Sequence, residues 1–126
     1  MKRDLELLRK IIIAIEASVD DEVSSIRLPV GYDPLHLSHH IRILFEAGLI
    51  HAFESRPYNA TASWVPHSLT WAGYEFLAAV RDPDIWRQMM AAVAAAGGEL
   101  PVAIIEQLAL REWRRRHDLA EVRPAA

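Results

Sequence analysis

The sequence predicts a mainly α protein with one small β-hairpin, an α+β fold. Two observations carry this. Apolar residues recur at helical spacing over most of the chain, and from Leu49 the pattern shifts from a period near 3.6 toward a period of 2 for two short runs. Asp-Pro and glycine punctuation then falls where helices should begin and end.

Residues 3–17 read as the first helix, with Leu5, Leu8, Ile12 and Ile15 on one stripe, Ile11 widening it, and Arg3, Glu6, Arg9 and Lys10 mostly outside. Ser18 through Ser25 is an acidic, polar connector. Ile26-Arg27-Leu28-Pro29-Val30 alternates like a short strand, which Pro29 confines to a sheet edge because it has no N–H to donate. Gly31-Tyr32-Asp33-Pro34 is a turn that also starts the second helix: Asp33 suits the N-cap and Pro34 the first helical position. In that helix Leu37, Ile41, Leu44 and Gly48 share the stripe expected to be buried, and Gly48 is the natural left-handed stop. Little room remains for another helix between Asp20 and Pro34, so that helix is either one turn long or replaced by the short strand.

Ile50–Glu54 and Ser63–Leu69 read as antiparallel strands around the turn-forming loop Ser55-Arg56-Pro57-Tyr58-Asn59-Ala60-Thr61. Thr70 caps a third helix carrying Trp71, Tyr74, Leu77 and Ala78. Asp82-Pro83-Asp84 interrupts it and restarts a fourth through Ile85, Trp86, Met89, Met90 and Val93. Gly97-Gly98 ends that helix, Pro101 opens a fifth running to about His117, and Glu121–Ala126 reads as a frayed tail.

Hydrophobic residues make up 52% of the 126 and charged residues 25%, an ordinary globular balance that argues against general disorder. The absence of cysteine excludes disulfides and thiolate metal sites. The start of the chain lacks a signal-peptide pattern, and Ile11–Ile15 is far too short to span a bilayer, so a cytoplasmic protein is expected. The net charge of −3 works against nucleic-acid binding unless basic residues are gathered on one face.

Ser38-His39-His40-Ile41-Arg42-Ile43-Leu44-Phe45-Glu46-Ala47-Gly48-Leu49-Ile50 resembles the recognition-helix signature of bacterial winged-helix regulators of the ArsR and MarR kind. Leu69-Thr70-x-x-Gly73-x-x-Phe76-Leu77 resembles the helix that follows their wing. The resemblance implies a winged helix-turn-helix-like domain over residues 1–81, with residues 82–126 as a helical extension of the same compact unit. Met1–Ile11, Gly31–Pro34, Glu46–Ile50, Leu69–Leu77 and Gly97–Pro101 together resemble a bacterial and phage family, domain of unknown function 2513. That family implies a small protein of prophages and mobile elements, and it supplies no catalytic residues to carry over.

In a DNA-binding winged helix, Leu35, Ser38, His39, Arg42 and Glu46 would lie opposite the buried stripe. Arg42 would then suit a guanine edge, and Ser38 and His39 phosphates or bases. Arg56 is the candidate phosphate contact of the wing, with Tyr58 and Asn59 beside it. Equally, this face could be simply solvated, with Arg42 paired to Glu46 one turn on. His36 and His40 have the spacing of two helical metal ligands, but no carboxylate or cysteine lies at a matching position, and no metal or other cofactor is expected.

Arg111, Arg114, Arg115, Arg116 and Arg123 are interleaved with Glu106, Glu112, Asp118 and Glu121, which reads as a solvated helix end before it reads as a nucleic-acid patch. Trp86, Met89, Met90, Val93, Ile104, Ile105, Leu108 and Trp113 exceed what a small winged core needs. They would close a helical hairpin over the domain or form the seam of a homodimer. No phosphate loop, nucleophile elbow or paired acid cluster is present, so an enzyme is not expected. The expected function is transcriptional regulation through double-stranded DNA. The alternative is a non-enzymatic protein partner, with the domain serving as an adaptor or an inhibitor of a host system.

Overall fold

A computed structural model describes residues 1–19, 23–58 and 61–117. Asn59 of the loop, Asp118, Glu121, Arg123 and the expected frayed tail lie outside the described residues. The fold is α+β, with five α-helices among the described residues, α1 (Leu5–Glu16), α2 (Pro34–Glu46), α3 (Trp71–Val80), α4 (Pro83–Ala95) and α5 (Val102–Arg116), and the strands β1 (Ile50–Ser55) and β2 (Ser63–Leu69) between α2 and α3. Two compact units divide after Leu77, inside α3. Among the described residues no helix is long and apolar enough to cross a membrane.

In the N-terminal unit, Asp4 caps α1 by accepting from the Leu7 N–H, and the helix buries Leu7, Leu8, Ile11, Ile12 and Ile15. Leu7 takes the buried place expected of Leu5, which is half-buried. Ile41 and Leu44 of α2, Ile50 and Leu69 of the hairpin, and Phe76 and Leu77 of α3 are buried as well. Each such side chain contributes about 1.5–3 kcal/mol relative to staying in water. Of the expected α2 stripe, Leu37 is half-buried and Gly48 exposed.

The strand expected at Ile26–Val30 is absent; that segment is irregular. Alternation gives a chain two faces but no partner, and Pro29 withholds one of the few N–H groups a ladder could use. Among the described residues before α2 there is instead a 3-10 turn at Val23–Ser25, the one-turn solution to the shortage of chain.

The hairpin is antiparallel, with Ile50 opposite Leu69 and Ser55 opposite Ser63. Its register shifts between His51, paired with Ser68, and Ala52, paired with Pro66. The bulge leaves His67 as the extra residue and admits Pro66 to the strand, as bulges do.

Where α2 ends, Gly48 takes φ +78° and the Leu49 N–H donates to the Leu44 carbonyl at 3.1 Å, a left-handed stop of the Schellman kind. The Thr70 N–H then donates to the Leu49 carbonyl at 3.1 Å and its hydroxyl to the Gly48 carbonyl at 2.6 Å. That hydroxyl also accepts from the Gly73 N–H at 3.1 Å, capping α3. A Cβ at position 73 would stand 2.0 Å from the Leu49 carbonyl oxygen, so only glycine fits there.

In the C-terminal unit, Asp82 caps α4 by accepting from Asp84 and Ile85, with Pro83 in the first turn. Gly97 and Gly98, both at positive φ, close the turn toward α5. Arg116 at the end of α5 lies 3.4 Å from Asp84 at the start of α4, so the two helices run antiparallel. Ile85, Trp86, Met89, Val93, Ile105 and Ala109 are buried. Met90, Leu108 and Trp113 are half-buried, and Ile104 is exposed.

Candidate recognition surface on the second helix

The start of α2 is fixed by Asp33, whose carboxylate accepts from the Leu35 N–H at 2.8 Å and the His36 N–H at 3.4 Å. Its inward side carries His40, Ile41 and Leu44, all buried. A second side faces the hairpin. The Ser38 hydroxyl accepts the Trp64 backbone N–H at 2.8 Å, and the Phe45 and Trp64 rings lie 5.3 Å apart. Ser38 therefore joins α2 to β2 and does not offer its hydroxyl outward.

The remaining edge is open. Leu35 is 62% exposed, and the Arg42 and Glu46 side chains are each about half exposed, joined by an Arg42 Nε to Glu46 Oε1 contact of 2.8 Å. A solvated pair of this kind holds a side chain loosely, because water and salt compete for both charges. His39 is half-buried. Arg56 lies just past β1 and is paired at 3.3 Å with Glu54, and Tyr58 follows it at a positive φ, almost fully exposed. Of the DNA contacts expected from sequence, Leu35, Arg42 and Arg56 are exposed, His39 is partly so, and Ser38 is occupied.

His40 is fully buried, and both of its ring nitrogens are engaged. Nδ1 meets the His36 carbonyl at 2.8 Å and Nε2 accepts the Asp4 N–H at 2.8 Å, which fixes the neutral Nδ1–H tautomer. Burial, foremost, moves this imidazole toward the neutral form. With both nitrogens committed, His40 has no lone pair to share with His36 for a metal. Among the described residues no group of three His, Cys, Asp or Glu could hold an ion. His36 instead lies between the Tyr32 ring (centroids 6.4 Å apart) and the His40 ring (4.3 Å). Lys10 reaches the Tyr32 hydroxyl at 3.1 Å.

Sequence reasoning missed the Asp4–His40 bond and the Phe45–Trp64 contact. The available signals were the place of His40 next to Ile41 on the buried stripe, and an aromatic residue at position 45 off that stripe.

Charge is unevenly divided. Residues 1–77 hold seven basic and ten acidic side chains, a net −3, and residues 78–126 hold seven of each, a net of 0. At the end of α5, Arg115 and Arg116 both bond Glu112 and hold its carboxyl down to about 2. Arg116 also reaches Asp84, which pairs with Arg87 as well. Arg111 and Arg114 lie on the exposed side of α5.

No solved structure matches this chain. An uncharacterized protein of Haemophilus influenzae is 30% identical over 112 residues, covering 86% of this chain and 92% of the relative. A family model described as "Hypothetical protein (DUF2513)" matches residues 2–99. With most of both chains aligned and the family pattern running from the start of α1 past the end of α4, the chain belongs to the DUF2513 family.

Proposed function

We propose that the N-terminal unit is a winged-helix module that binds double-stranded DNA, with α2 as the major-groove helix and the β1–β2 hairpin as the wing. The reading is carried by the attachment of α2: its inner side is buried, Ser38 binds it to the hairpin, and its open edge presents Leu35 and Arg42. Arg42 would leave Glu46 for a guanine edge and Arg56 would leave Glu54 for a phosphate, exchanges that cost little because both pairs are solvated. The role is non-catalytic, performed in the cytoplasm by a homodimer that reads two half-sites.

The charge pattern favours a second reading, a protein partner in place of DNA. The N-terminal unit carries the whole net charge of −3, and the arginines of the candidate surface, Arg42 and Arg56, both face carboxylates. Fluorescence anisotropy of labelled duplex DNA across a salt series separates the two. The DNA reading expects affinity to fall linearly in log salt, to drop on Arg42→Ala and to rise on Glu46→Gln, which removes a charge that repels phosphate. Folded protein that leaves the duplex unbound at low salt would sink it and leave the protein partner.

A further inference from the structure

The contact that joins the beginning of α1 to the middle of α2 is made by a titratable ring. Asp4 is the N-cap of α1, and all of its polar groups are used. Its carboxylate accepts from Leu7, its carbonyl accepts from Leu8, and its N–H donates to His40 Nε2 at 2.8 Å. His40 can accept that N–H only while Nε2 keeps its lone pair, because Nδ1 is already turned to the His36 carbonyl at 2.8 Å.

We propose that His40 is a pH-sensitive latch, which holds the start of α1 against α2 when neutral and releases it when protonated. The added proton has one place to go, Nε2. There it would point at the Asp4 N–H, setting donor against donor and leaving both without a partner away from water. The charged or titratable groups that act on the ring are Asp4 from α1 and His36 and His39 from α2. The Asp4 carboxylate favours a charge on His40, but it is committed to capping α1. The two neighbouring imidazoles, with ring centroids 4.3 and 5.5 Å away, disfavour one. Burial works in the same direction as the imidazoles and is the largest cause.

The sign follows from linkage. The unfolded chain carries an ordinary histidine, near 6.5, and the folded chain holds His40 below that. The unfolded state therefore binds the proton more readily. The stability that neutral His40 contributes is complete above pH 6.5 and is lost progressively as the pH falls below it. The inference stands apart from the DNA reading, since it concerns how α1 and α2 hold each other and needs no ligand.

The test uses the full chain. Urea midpoints followed by tryptophan fluorescence should fall between pH 7.5 and pH 5.5 for wild type and for His36→Gln and His39→Gln, and should stay level for His40→Gln. A level wild-type curve, or a slope that survives in His40→Gln, would overturn the proposal. If His40→Gln does not fold, wild-type measurements decide. Imidazole ¹⁵N shifts at pH 7.5 should report a protonated Nδ1 and a bare Nε2 for the buried ring. Hydrogen-exchange protection of the Asp4 amide should drop about tenfold for each pH unit over which His40 protonates. An Nε2–H tautomer at pH 7.5, or Asp4 protection that persists once His40 is charged, would also overturn it.

Discussion

Helices α2 and α5 both carry many polar side chains, and they use them in opposite ways. Two of those on α2 reach across the chain, Ser38 to Trp64 at 26 residues' separation and His40 to Asp4 at 36, and both contacts are partly buried. Those on α5 mostly stay on their own helix, Arg115 and Arg116 with Glu112, and the longer contact of Arg116 with Asp84 lies at the surface. Desolvated polar groups are costly when a partner is lost, whereas solvated pairs are easily replaced by water. The polar residues of α2 thus set its position, and those of α5 chiefly keep its surface wet.

Three substitutions break or sharpen that contrast. The largest effect is expected where α2 gives way to β1. Helix propensity alone would make Gly73→Ala stabilising by about 0.5–1 kcal/mol. The Leu49 carbonyl, 2.0 Å from where the new methyl group would stand, reverses the sign, and we expect a loss of about 1–3 kcal/mol in urea denaturation. A gain would mean that this end of α2 is not tightly held. Ser38→Ala comes next: it strands the Trp64 N–H, and a loss of about 1 kcal/mol is expected by the same measurement. An unchanged midpoint would show that water replaces the hydroxyl and that α2 is as loosely tied as α5. Glu112→Gln should leave the midpoint at pH 7 unmoved. Whatever the Glu112 carboxylate adds is present above pH 4.5 and lost as the pH falls toward 2, and the exposure of its partner Arg115 to water keeps that contribution small. A clear drop at neutral pH would show that the α5 ion pairs are structural after all.

What could be read from the sequence was local. The caps at Asp33-Pro34 and Asp82-Pro83 and the stop at Gly48 depend on residues within one turn of each other, and all three are found in place. The hairpin was also legible, because its two strands are neighbours in the chain. Ile26–Val30 had the alternation of a strand, but a strand exists only when another supplies its hydrogen bonds, and the sequence could not show that none would. Ser38 was misplaced for a similar reason. A helical wheel sets it off the buried stripe, but not that β2 returns to cover that side. His40 stood out only for its spacing from His36, and nothing near it in the chain pointed to Asp4.

The corner made by Gly48, Leu49, Thr70 and Gly73 also bears on the order in which the chain acquires its structure. Its two halves lie 22 residues apart on either side of the hairpin, so they meet once β1 and β2 have paired. Contacts completed after the rate-limiting step act on unfolding. In a chevron experiment Thr70→Val, which keeps the shape of the side chain and removes the hydroxyl, should steepen escape from the native state while leaving the refolding rate nearly unchanged. A matching slowdown in refolding would place the corner in the folding nucleus. On this account one threonine hydroxyl governs how long the N-terminal unit stays folded more than how fast it forms.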